Sequence, residues 1–220
     1  MEQEFLISLF MIIGIDLILG GDNAIVIAMA SRNLPEKQRQ KAIIIGTFLA
    51  IALRTALTTV AVYLLTIPYL QLAGGIFLLY ISFGLMCGGD EDEEHVKSHG
   101  SLWKAVRTIV AADVLMGLDN VIAVAGAANG HTMLVVTGLF ISIPVIIWGS
   151  KFVLKLIDRF PYLLYVGGGM LAYTAGKMIS HEDQLQFLAD RPMFLEAIPY
   201  FTVLIFVISG IITKKKNLNT

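Results

Sequence analysis

Long apolar stretches separated by short polar breaks run the length of the chain, at residues 5–31, 42–66, 69–89, 105–129, 132–153, 162–180 and 197–213. Each is close to or above the roughly twenty residues that an α-helix needs to cross the hydrocarbon of a bilayer. The breaks are Arg32 to Lys41 with Pro35, Ile67-Pro68-Tyr69, Asp90 to Lys104, Asn129-Gly130-His131, Lys151 to Pro161 and His181 to Pro192, and they carry the Pro, Gly and charge of loops. The pattern predicts an all-α, polytopic membrane protein with seven transmembrane helices.

Polar residues inside the apolar runs are more informative than the runs themselves. The segment Ile13 to Ala28, I-G-I-D-L-I-L-G-G-D-N-A-I-V-I-A, returns in similar form at Val110 to Ala125, V-A-A-D-V-L-M-G-L-D-N-V-I-A-V-A. At one constant offset Asp16 pairs with Asp113, Gly20 with Gly117, Asp22 with Asp119 and Asn23 with Asn120. A charge in hydrocarbon costs at least about 2.5 to 3.5 kcal/mol on insertion scales, so the recurrence of two such pairs points to a shared purpose. Gly74-Gly75 and Tyr80 likewise align with Gly167-Gly168 and Tyr173.

Basic residues set the orientation, because they gather on the cytoplasmic side. Arg32, Lys37, Arg39 and Lys41, then Lys97, Lys104 and Arg107, then Lys151, Lys155 and Arg159, and finally Lys214 to Lys216 all fall on one side of the predicted crossings. The opposite connections hold little beyond Arg191. This puts the N-terminus outside and the C-terminus in the cytoplasm. The second motif begins three crossings after the first, so the two copies run in opposite directions, a 3+3 inverted repeat with one extra C-terminal helix. The expected layout is one transmembrane domain over 1–220: repeat one at 5–89, a cytoplasmic acidic loop at 90–104, repeat two at 105–180 and the additional helix at 197–213.

Composition agrees. Of 220 residues 56% are hydrophobic and 15% charged, and the mean hydropathy is +0.76, too apolar for a water-soluble globule of this size. A net charge of −1 gives no footprint for nucleic acid. Cys87, the single cysteine, leaves no disulfide framework and no cysteine metal site. The start Met1-Glu2-Gln3-Glu4 is not basic, and no cleavable signal peptide is expected.

Asp16 and Asp22 are six residues apart and point to different sides of a regular helix. Gly20 and Gly21 offer a place to unwind it, turning Asp22 and Asn23 toward Asp16; in the second copy Gly117 is followed by Leu118, so a smaller break is expected there. Four carboxylates and two amide oxygens suit a hard divalent cation such as manganese, calcium or magnesium rather than zinc or copper. Arg54, alone in the second apolar run, must meet a carboxylate, with Asp113 or Asp119 as partner. It reads as a counter-charge for the empty site or as a structural ion pair. Lys177 is a second charge-balancing or coupling candidate, or a snorkelling side chain. Four acids exceed the charge of one divalent ion, which makes proton coupling a consistent arrangement.

Plainer readings stand beside these. The aspartates could cap helices near a membrane surface, or share a proton in diaspartyl proteolysis, although the Gly-x-Gly-Asp pattern of such proteases is absent and no enzyme is expected. Asp90 to Glu94 with His95 and His99, and His181, Glu182, Asp183 and Asp190, read as solvated polar loops before they read as metal sensors. Gly167-Gly168-Gly169 suits close helix packing rather than a nucleotide, and Trp103, Trp148, Tyr162 and Tyr165 suit interfacial anchors.

At Asp16 with Gly20-Gly21-Asp22-Asn23-Ala24, and at Asp113 with Gly117-Leu118-Asp119-Asn120, the chain resembles the TerC family of bacterial membrane proteins, within the lysine-exporter superfamily, and most closely its short Bacillus-type members. The resemblance implies a seven-helix exporter of divalent metal in the bacterial cytoplasmic membrane, with Mn2+ above all as substrate, Ca2+ or another divalent cation as the alternative, and no organic cofactor. Carried onto this chain, its acidic motif makes Asp16, Asp22, Asn23, Asp113, Asp119 and Asn120 the ion ligands. Partners in keeping with it are the lipid bilayer, the metal ion, a second copy in a homo-oligomer, and secretion or metalloprotease components. The rival readings are a metal-binding accessory subunit of secretion or metalloenzyme maturation, and an amino-acid exporter.

Overall fold

The computed structural model describes the backbone of residues 2–64, 67–87, 101–128, 132–182, 185 and 192–217; the side chains of some helical positions, 118–123 among them, lie outside the description. Its helices are α1 (Glu2–Leu19), α2 (Gly21–Ser31), α3 (Glu36–Leu64), α4 (Leu70–Cys87), α5 (Leu102–Ala128), α6 (Thr132–Arg159), α7 (Leu163–Ser180) and α8 (Pro192–Asn217). Among the described residues there is no strand.

Among the described residues the seven apolar stretches carry eight helices, because the first divides at Gly20. There φ is −102° and ψ 8°, and α1 and α2 meet at 46°. Gly20 N–H still donates to the Asp16 carbonyl at 2.8 Å, and Asn23 N–H donates to the Gly20 carbonyl at 3.1 Å. A Cβ on Gly20 would run into that same Asp16 carbonyl, so the tight corner requires glycine.

By length and composition α3 over Glu36–Thr58 and α6 over Met133–Arg159 can each cross a bilayer, and α1 with α2 as one bent span makes a third. Leu70–Met86 and Phe194–Gly210 are shorter apolar helices. Of the seven crossings expected from the sequence, two or three are clear spans among the described residues. α4 and α7 have 18 residues each, about 27 Å of helix against a hydrocarbon core of about 30 Å, while α5, with 27 residues, is long enough to cross. The exterior is that of a membrane protein, with Ile18, Trp148 and Tyr80 all more than 70% exposed, a degree of apolar exposure that lipid tolerates and water does not.

The chain forms two compact units, residues 1–66 with 99–156, and residues 67–98 with 157–220. In the first, α5 packs along α3 and against α1 and α2, and Ile12, Ile43, Ile109, Val124 and Leu139 lie in a shared core with α6. Two close approaches organise it. Ile109 of α5 lies over Gly46 of α3, where a Cβ would stand 2.9 Å from its Cδ1, and Ile12 of α1 lies over Gly138 of α6 in the same way. The rings of Phe48 and Phe140 meet edge to face with centroids 5.9 Å apart.

In the second unit α7 packs against both α4 and α8. Gly75 of α4 comes close to the Ala175 carbonyl, and Ser82 Oγ donates to the Gly168 carbonyl at 2.8 Å. Thr202 Oγ of α8 donates to the Ala172 carbonyl at 2.8 Å, while Phe206 covers Gly168. Glu182 is buried; its two carboxylate oxygens accept from the amides of Tyr69 at 2.9 Å and Leu72 at 3.1 Å. A carboxylate from beyond α7 thereby caps the start of α4, where helix amides lack partners of their own.

Candidate functional site

Four helices of the first unit bring polar side chains to one buried centre. Asp16 lies one turn after Ile12 on α1, Asp113 one turn after Ile109 on α5, and Ser142 one turn after Gly138 on α6. The close glycine contacts therefore deliver these three side chains to the interior. Arg54 enters from α3 and is only 2% exposed. Its Nη1 donates to Asp16 Oδ1 and its Nη2 to Asp113 Oδ1. The planar guanidinium fork suits this work, since it offers separate donors to two carboxylates at once.

Ser142 Oγ donates to Asp16 Oδ2. The Leu139 carbonyl is also in its reach, at 2.8 Å, but one hydroxyl proton serves one acceptor at a time, and an ionised carboxylate is the stronger one. Asp16 therefore has both oxygens engaged. The centre holds two carboxylates and one guanidinium, a net charge of −1 when all are ionised.

In the same unit several buried polar atoms have no hydrogen-bond partner among the described residues: Asp22 Oδ1, both amide atoms of Asn23, Thr47 Oγ, Arg54 Nε and Asp113 Oδ2. Each such atom costs about 1 to 3 kcal/mol if nothing, water included, satisfies it. Asp22 and Asn23 stand in the first turn of α2, where the helix dipole favours a negative charge.

Of the residues nominated from the sequence, Asp16, Arg54 and Asp113 are joined directly, and Asp22 and Asn23 begin α2 just past the Gly20 corner. Gly21 is exposed with open space beside it, and Gly117 lies under Arg54, whose Nε would be 3.4 Å from a Cβ there. Through Gly117 α5 runs without interruption. The side chains of Asp119 and Asn120 lie outside the described residues, as do residues 88–100 of the acidic loop with His95 and His99, and Asp183 and Asp190. Lys177 is exposed near the end of α7, in the second unit. Among the described residues no three acidic, histidine or cysteine side chains form a metal-binding group; the two carboxylates that do converge hold a guanidinium. Ser142 and Thr47 were not nominated from the sequence. A serine or threonine in an apolar helix carries no signal of its own, since it can equally bond back to its helix, as Thr58 does to the Arg54 carbonyl.

These features define a class: an integral membrane protein whose apolar helices enclose an aspartate, arginine and aspartate centre. More particularly, the chain belongs to the TerC family of integral membrane proteins, whose family model matches residues 1–218. It is 56% identical over 212 residues to the membrane protein YjbE of Bacillus subtilis (strain 168), covering 96% of this chain and 97% of that one. To the UPF0053 inner membrane protein YoaE of Escherichia coli (strain K12) it is 27% identical over 203 residues, covering 80% of this chain but 39% of YoaE, so it spans well under half of that relative. The membrane protein YkoY of Bacillus subtilis (strain 168) is 26% identical over 202 residues, with 80% of this chain and 61% of that one covered. No solved structure matches.

Proposed function

We propose that the protein exports a hard divalent cation, manganese foremost, across the cytoplasmic membrane by alternating access between two inverted repeats. The observation that carries this reading is the meeting of Asp16 and Asp113, one from each copy of the same motif, at a single buried cationic group, Arg54. A pocket that already stabilises a positive charge with carboxylates, and that keeps further oxygens of Asp22, Asn23 and Asp113 unpaired, has the donor chemistry of a hard-cation site. The ligands on this reading are Asp16, Asp22, Asn23, Asp113, Asp119 and Asn120, with Arg54 as the counter-charge of the empty state and Lys177 as a candidate for coupling. Protons balance the carboxylate charge that one divalent ion leaves over.

The reciprocal contacts support the inverted repeat. Gly46-Thr47-Phe48 on α3 corresponds to Gly138-Leu139-Phe140 on α6, as Ile12 and Asp16 correspond to Ile109 and Asp113. Ile109 covers Gly46 as Ile12 covers Gly138, and the equivalent Phe48 and Phe140 touch each other. In the second unit Gly75 approaches Ala175, while Gly168, the counterpart of Gly75, receives the hydroxyl of Ser82, the counterpart of Ala175. Contacts exchanged in this way are what a two-fold operation produces. An axis of that kind in the membrane plane is the geometry of inverted-repeat transporters. Seven crossings, with the N-terminus outside, complete the arrangement.

The test is manganese flux in liposomes containing the purified protein and an entrapped metal-sensitive dye. The wild type moves Mn2+, and Asp22→Asn, Asp113→Asn and Asp119→Asn each abolish flux while remaining monodisperse. Normal flux in all three variants overturns the ligand assignment. A well-folded wild type that moves no Mn2+, or that moves a basic amino acid without competition from Mn2+, overturns the exporter reading.

A further inference from the structure

We infer that the two repeat-related aspartates are not equivalent: Asp113 is the carboxylate that receives the incoming divalent cation, and Ser142 is a positioning residue that pins Asp16 as the fixed half of the site. The inference rests on the cation-site reading above and adds an order of engagement within it. Asp16 is 1% exposed, with one oxygen on Arg54 and the other on Ser142. Asp113 is 8% exposed; one oxygen is on Arg54, and Oδ2 has no partner among the described residues. A cation arriving at Asp16 must displace an ion pair or a hydroxyl. At Asp113 Oδ2, buried like the rest of the centre, it displaces no described protein group.

One pair of positions produces this difference. Ser142 is one turn beyond Gly138, and Ala50 is one turn beyond Gly46. Because Ile12 and Ile109 seat on these two glycines in the same way, Ala50 holds toward Asp113 the register that Ser142 holds toward Asp16. Ala50 is buried at 2% exposure and brings no donor. Arg54, one turn further along α3, has Ile146 as its counterpart on α6, so the single guanidinium cannot be duplicated. The near-symmetric frame thus carries one hydroxyl and one guanidinium on opposite halves, and Asp113 is left with the open oxygen.

The experiment is Mn2+ titration of the purified, detergent-solubilised full chain, with free Mn2+ read from its six-line electron paramagnetic resonance signal. Ala50→Ser supplies Asp113 Oδ2 with a donor that the ion must displace and weakens binding about five-fold, the worth of one ordinary hydrogen bond. Ser142→Ala binds at least as tightly as wild type, because it frees a second oxygen. In the double variant carrying both changes the open oxygen moves to Asp16, and Asp16→Asn then becomes more damaging than Asp113→Asn. Ala50→Ser without effect or with tighter binding, or Ser142→Ala weakened as much as Ala50→Ser, overturns the assignment. Ser142→Ala adds no atoms to the core and keeps the comparison decisive even if Ala50→Ser folds poorly. A wild type that leaves the manganese signal unchanged removes the divalent-cation reading itself, whereas wild-type binding with an equal response of all variants overturns this assignment alone.

Discussion

Replacing Arg54 by methionine removes the cation that both carboxylates share while keeping an unbranched, apolar side chain that fills much of the same space. In the wild type the guanidinium is 2% exposed and paired to Asp16 and Asp113. Without it two buried carboxylates face each other, and Asp113 loses its one described partner, whereas Asp16 keeps Ser142. Breaking a buried pair from one side costs about 3 to 5 kcal/mol, which for a chain of this size lowers the melting temperature by roughly 6 to 20 °C. The two tryptophans allow thermal unfolding to be followed by intrinsic fluorescence in detergent. Neutralising one acid should return part of the loss, so Arg54→Met with Asp113→Asn melts above Arg54→Met alone and the two single losses do not add. Asp113→Asn should rescue better than Asp16→Asn, because Asp113 is the acid left without a donor. Arg54→Lys, which keeps the charge but not the two-armed fork, should fall between. An Arg54→Met protein that melts with the wild type, or losses that simply add in the double variant, would refute the claim that this pairing holds α1, α3 and α5 together.

Three further outcomes follow from the packing. Gly46→Ala drives a methyl group into Ile109 and should cost about 1 to 3 kcal/mol; Ile109→Ala in that background should cost less than the two separate losses predict, as read from melting curves. Gly138→Ala should behave alike against Ile12, since the two contacts are built the same way, and a large loss at one glycine with none at the other would break the correspondence. Glu182→Ala removes the acceptor for the Tyr69 and Leu72 amides and should cost about 1 to 2 kcal/mol, with hydrogen exchange at the start of α4 speeding up while exchange in α3 and α5 stays unchanged.

How much was legible in the sequence depended on whether a feature broke the hydrophobic background. The helical membrane class was written in the apolar runs, and the pairing of Asp16 with Asp113 in the recurrence of charged residues where charge is expensive. Arg54 is legible as a cation in need of an acid, with Asp113 or Asp119 as a possible partner; the structure bears out Asp113 and adds Asp16 as a second acid. In the sequence Glu182 reads as part of a polar loop; in the structure its carboxylate caps the start of α4. No local pattern could have found it, because its partners are 113 and 110 residues away. An apolar run indicates what a segment can bury, while its helix ends wherever backbone and loop chemistry stop it, which is why the first run carries two helices rather than one.

Ser142 and Ala50 mark the limit of such reading most clearly. Each is a small residue in an apolar helix, and either substitution would leave the hydropathy pattern almost untouched. Their meaning appears only when Ile12 and Ile109 are seen on the two matching glycines, which puts the two positions in the same register one turn away. A repeat detected through its acids suggests two equal halves. The residues that make the halves unequal are a hydroxyl with no counterpart on α3 and a guanidinium with none on α6. If every ligand were mirrored, the two halves would hold a cation equally well, and nothing in the centre would favour one order of engagement over the other.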